Sequence, residues 1–116
     1  MKKIYYGQAN YNSNEINACL KVLKKQSLSL MTGKNVRMLE KKIAGLFGKK
    51  YALMVNSGSS ANLLAIQSLN LKKNSEVITP TLTFSTTISP IYQSGLVPNF
   101  IDVKKDTFVA DVEQIE

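Results

Sequence analysis

Histidine is absent from the 116 residues of this chain, which removes much chemistry at once. No Ser-His-Asp or Cys-His pair can be assembled from it, nor any His-ligated metal site, and no metal is expected. Any general base within it is Asp, Glu, Lys or Tyr. Cysteine occurs once, at Cys19, so no internal disulfide forms and the usage fits a reducing cytoplasm. Cys19 falls on the apolar face of an expected helix, where it reads as a small core residue. Arginine also occurs once, at Arg37. A nucleic-acid interface draws on Arg and aromatics along one face, so no DNA or RNA partner is expected. No apolar run follows Met1-Lys2-Lys3 as a secretion signal would require, and none is long enough to span a bilayer. A cytoplasmic protein without a membrane partner is the expectation.

What is present suits a globular α/β domain. Hydrophobic residues make up 44% of the chain, enough for a core, and the length suits one domain. The formal charge of +7 comes from 15 basic and 8 acidic residues. Its lysines cluster at Lys21/Lys24/Lys25, Lys41/Lys42, Lys49/Lys50, Lys72/Lys73 and Lys104/Lys105. These lie at expected helix ends and connections, where solvated or dipole-capping lysines are ordinary. Attraction of anionic, phosphorylated substrates is the functional alternative.

Residues 1–50 read as an N-terminal helical segment. Asn12 with Glu15 predicts a capping box. Ile16, Cys19, Leu20 and Leu23 then recur at helical spacing to about Lys25-Gln26. A loop over 27–33 leads to a second amphipathic helix with Val36, Leu39, Ile43, Leu46 and Phe47 on one face, stopped by Gly48. From Tyr51 to Glu116 strands alternate with helices. Strand Tyr51–Val55, helix Ser59–Leu69, strand Glu76–Thr79, a short helix near Thr87–Ser94 stopped by Gly95, and strand Val97–Asp102 are expected in that order. A further helix is expected over Val112–Glu116. Short apolar strands separated by helices imply parallel pairing. Pro90 fits only the first turn of its helix, which places the start at Thr87 or Ile88.

The most informative stretch is Asn56-Ser57-Gly58-Ser59-Ser60-Ala61-Asn62, between the first strand and its helix. Small turn-forming residues there leave backbone N–H groups exposed at the positive end of the helix dipole, where a phosphate binds. The stretch lacks the Lys of a P-loop and the spaced glycines of a dinucleotide fold. A smaller phosphate-bearing cofactor is indicated. After the second strand, Phe84 stands among Thr81, Thr83, Ser85, Thr86 and Thr87, a ring on which a planar cofactor could stack. Ordinary helix capping and core packing remain the alternatives for both features.

These residues resemble the N-terminal part of the pyridoxal-phosphate-dependent sugar aminotransferases, often called the DegT/DnrJ/StrS family. The resemblance runs in order through Thr32-Gly33 to Ala44, the Asn56–Asn62 loop, Glu76–Thr87, and Gly95 to Phe108. It implies the large, mainly parallel α/β sheet with flanking helices of the fold-type-I enzymes, of which 51–116 would be the first βαβαβ part. It implies pyridoxal 5′-phosphate or pyridoxamine phosphate as cofactor, with its phosphate on the amides of Ser59 and Ser60, or a neighbour such as Gly58. Phe84 would stack on the pyridine ring. A nucleotide-linked keto sugar as substrate, glutamate as amino donor and a homodimer are further implications. The family's Schiff-base lysine falls beyond Glu116, so no catalytic residue is assigned here, and a fragment unable to complete transamination is expected. The loop and Pro90 to Pro98 are also similar to the related 3-dehydratases of nucleotide-linked 4-keto-6-deoxy sugars, which use His in place of that lysine. A non-catalytic ligand-binding relative and a nucleic-acid-binding α/β domain complete the alternatives.

Overall fold

A computed structural model describes residues 4–25, 30, 31 and 33–115. The expected helix end at Gln26, most of the loop over 27–33 including Thr32, and Glu116 lie outside the described residues. The chain divides into two compact units, Met1–Leu53 and Met54–Glu116.

The first unit holds helices α1 (Ser13–Lys24) and α2 (Lys34–Leu46). The capping box forms as the sequence predicts. Asn12 Oδ1 accepts from the Asn14 N–H at 2.8 Å, and the Asn12 N–H donates to Glu15 Oε2 at 2.7 Å. That backbone hydrogen bond holds the Glu15 carboxyl below its ordinary pKa. At the far end of α2, Gly48 adopts φ +61 and donates to the Gly45 carbonyl, while Lys49 donates to that of Ala44. This is a Schellman stop, which needs a residue free of a Cβ penalty. One expectation fails here: Cys19 is exposed, not core. Its helix buries none of its residues, because helical spacing marks an apolar face without supplying a neighbour to cover it.

The second unit runs α3 (Gly58–Ser68), β1 (Glu76–Pro80), α4 (Ser85–Gln93) and β2 (Val97–Ile101), then a single 3₁₀ turn at Val112–Gln114. That turn stands where a helix over Val112–Glu116 was expected. β1 and β2 pair in parallel from Glu76 opposite Val97 to Pro80 opposite Ile101. The ladder continues at both ends through Val97 N–H to Ser75 O (3.0 Å) and Thr81 N–H to Ile101 O (2.9 Å). Helix α4 bridges the strands and packs on both. Buried here are Thr79 of β1, Pro90 and Ile91 of α4, Leu96, and Ile101 of β2.

The expected strand Tyr51–Val55 does not form: these residues take no ladder, and among the described residues the sheet has two strands. A short apolar run predicts an extended segment, but a strand also needs a place in a β-ladder, which no local pattern supplies. A further correction concerns α4, which starts at Ser85 rather than at Thr87 or Ile88 and so holds Pro90 in its interior. Proline there withholds the N–H that the Thr86 carbonyl, four residues back, would normally accept. Asn62 of α3 supplies the replacement. Its Nδ2 donates to Thr86 O at 3.3 Å. After Gln93 the helix stops as predicted, with Gly95 at φ +70 donating to Tyr92 O and Leu96 to Ile91 O.

Candidate cofactor-phosphate site

The N-terminus of α3 is built by Ser57, whose extended backbone (φ −158, ψ 159) turns the chain into the helix. Ser57 Oγ accepts from the Ser60 N–H at 3.1 Å and donates to Ser60 Oγ at 3.1 Å. This is an N-cap in the ordinary sense, and it commits one of the helix's orphan amides. The amides of Gly58 and Ser59 have no acceptor within α3, because the first turn offers none. Neither finds one elsewhere among the described residues. No acidic side chain stands in this turn to offset the positive end of the dipole. The result is a pair of exposed donors flanked by two hydroxyls, which suits an anion with several oxygens.

The sequence-predicted residues therefore separate in role. Ser59 and Ser60 line a hollow of about 280 Å³ between α3 and α4, together with Leu63, Thr86, Ser89, Pro90 and Gln93. Its size is below the ~300–1,000 Å³ that encloses a whole small molecule, so it can take one end of a ligand. Gly58 opens the helix beside this hollow, and Phe84 immediately precedes α4; neither lines it. Phe84 is 73% exposed, so core packing among the described residues does not claim it and its ring is open to stacking. The Ser60 amide, expected as a phosphate donor, is already held by Ser57, and Ser60 offers its hydroxyl group instead. Donor set, charge and ring fit a phosphate-bearing aromatic cofactor.

Sequence reasoning missed Asn62, whose tie to Thr86 fixes the distance between the two walls of the hollow. The signal was available in part: a proline within a helical pattern leaves a carbonyl that some donor must satisfy. Among the described residues there is no cluster of His, Cys, Asp and Glu that could hold a metal ion. No helix there is long and apolar enough to cross a membrane.

Comparison with known proteins gives a concordant result. Residues 10–116 match the DegT/DnrJ/EryC1/StrS aminotransferase family. A GDP-4-keto-6-deoxy-D-mannose 3-dehydratase of Yersinia pseudotuberculosis is 35% identical over 114 residues, covering 93% of this chain and 28% of that protein. The solved E. coli GDP-4-keto-6-deoxy-D-mannose-3-dehydratase with bound hydrated PLP superimposes with TM-score 0.82 at 38% identity, over 91% of this chain and 28% of that one. A sugar aminotransferase of Streptococcus pneumoniae in its PLP form gives TM-score 0.84 at 25% identity, over 97% and 28%. The chain thus spans about 28% of the length of these relatives. Their shared architecture is that of fold-type-I pyridoxal enzymes, in agreement with the parallel β1–α4–β2 arrangement.

Proposed function

The chain belongs to the DegT/DnrJ/EryC1/StrS aminotransferase family, and on that premise we propose that it holds the phosphate end of pyridoxal or pyridoxamine 5′-phosphate in an enzyme acting on a nucleotide-linked keto sugar. The observation that carries this reading is the pair of unaccepted amides, Gly58 and Ser59, at the start of an 11-residue helix without acidic neighbours. The bound cofactor supplies the electron sink and carries the amino group. The residues of this chain hold and orient it. Gly58 and Ser59 would donate backbone hydrogen bonds to the phosphate, and Ser60, whose hydroxyl proton is not committed to Ser57, would add its hydroxyl group. Phe84 would offer its ring for stacking on the pyridine ring.

Two reactions share this cradle, and the relatives favour dehydration at C3 of a 4-keto-6-deoxy sugar. The 3-dehydratases stand at 35% and 38% identity, against 25% for the aminotransferase. That order reverses the one the sequence motifs alone imply. Transamination is the second reading, supported by a backbone match as good, TM-score 0.84 against 0.82. With either reaction, glutamate is the proposed amino donor and a homodimer the proposed assembly. Products of such enzymes feed polysaccharide or glycoconjugate synthesis.

Incubating the full-length protein with a GDP- or dTDP-linked 4-keto-6-deoxy sugar, cofactor and glutamate tests the choice by mass spectrometry of the sugar. Loss of the C3 oxygen is expected. Gain of nitrogen at the keto carbon instead would establish the aminotransferase, and an unchanged sugar would remove both. Phe84→Ala is expected to weaken cofactor binding about fivefold, equivalent to ~1 kcal/mol for a lost aromatic stack. Unaltered affinity and absorbance would take Phe84 out of the site.

A further inference from the structure

We infer that Asn62 is a positioning residue that clamps the α4 wall of the hollow against the phosphate-binding turn of α3, making good the hydrogen bond that Pro90 removes. The inference rests on the cofactor reading above for its functional meaning. Its structural part stands on three residues. Pro90 occupies the interior of α4 and has no N–H for the Thr86 carbonyl. Asn62 Nδ2 reaches that carbonyl at 3.3 Å from a helix 24 residues away in sequence. Thr86 and Pro90 both line the hollow that Ser59 and Ser60 close from the other side.

The geometry explains why an amide side chain stands at this position. Asn62 follows Gly58 by four residues and so shares its face of α3, one turn below the exposed amides. The carboxamide there has two N–H donors, and the partner it finds lies on α4, not on its own helix. A proline one turn along α4 exposes one carbonyl at the facing surface. Each group leaves the other's requirement unmet alone, and together they fix the spacing of two helix starts. In an α4 without proline that carbonyl would already hold a helical hydrogen bond, and the Asn62 tie would add less.

The dependence between Asn62 and Pro90 is the testable content. Asn62→Ala is expected to weaken binding of pyridoxal 5′-phosphate to the full-length protein about fivefold, the scale of one hydrogen bond. Pro90→Ala returns an N–H to the Thr86 carbonyl, so adding Asn62→Ala to it is expected to change affinity less than twofold. Amide exchange in the first two turns of α4 reads the clamp without cofactor. Exchange is expected to quicken in Asn62→Ala relative to the wild type, and not in the double variant relative to Pro90→Ala. An equal loss of affinity in both backgrounds would overturn the clamp, as would unchanged affinity in Asn62→Ala. If Asn62→Ala does not fold by circular dichroism, the comparison of Pro90→Ala with the double variant decides alone. Wild-type protein that binds no pyridoxal phosphate would overturn the cofactor reading, and the exchange data would then decide whether the clamp exists.

Discussion

Replacing Gly58 with proline is expected to weaken cofactor binding by about tenfold to a hundredfold, the range for one hydrogen bond to a charged group, while leaving the fold at least as stable as before. The two effects separate because of where Gly58 stands. It is the first residue of α3, the position at which a helix already has no acceptor for its N–H. Proline is pre-set for that position. The residue before it, Ser57, holds the extended backbone that a following proline requires (ψ 159). A Cβ at Gly58 meets no atom within 4 Å. Fewer unfolded conformations then stabilise the chain by up to about 1 kcal/mol. Only the donor is lost. Gly58→Ala keeps that donor and is expected to bind within about twofold of the wild type. Titration of pyridoxal 5′-phosphate by absorbance, beside thermal melts of the three proteins, measures both quantities. Gly58→Pro protein with undiminished affinity would remove this amide from the phosphate site.

What the residues disclosed in advance, and what they withheld, divides along the range of the interactions. The Asn12 cap, the stops at Gly48 and Gly95, and the start of α3 are decided within four or five residues; the first three stand where the sequence places them, and α3 starts at Gly58, one residue before the expected Ser59. The turn that opens α3 is of this kind, which is why its place after the small residues of 56–60 was legible. Even so, the sequence could not say that Ser57 would engage the Ser60 amide in place of that of Ser59, a choice made by the rotamer of one side chain. Three other failures require a distant partner. Tyr51–Val55 lacks a ladder neighbour, Cys19 lacks a cover, and α4 starts early because a side chain 24 residues away accommodates Pro90. Local rules assign proline to the first turn of a helix. Here a tertiary hydrogen bond sets that preference aside.

The second large effect is on stability, at Ile91. Its side chain is 2% exposed, the most deeply buried in the chain's second unit, on the helix that packs on both strands. Ile91→Ala is expected to destabilise the protein by about 2–5 kcal/mol, the lost transfer energy plus a cavity that the surroundings only partly fill. Ile91→Val, one methyl group smaller, is expected to lose about 0.5–1.5 kcal/mol. Tyr92→Ala, at the adjacent 61% exposed position, is the control and should lie within about 0.5 kcal/mol of the wild type. Urea unfolding followed by circular dichroism gives all three. Equal midpoints for the alanine variants at 91 and 92 would mean that α4 does not rest on Ile91. The expected loss reaches the site as well, since the same helix carries Thr86, Ser89 and Pro90 to the hollow. Ile91 also gives its carbonyl to the Leu96 N–H at 3.0 Å, and that bond closes the helix before β2. The side chain and the backbone of one residue thus hold α4 to the sheet and end it. The backbone bond survives truncation to alanine, so the measured loss reports the packing alone.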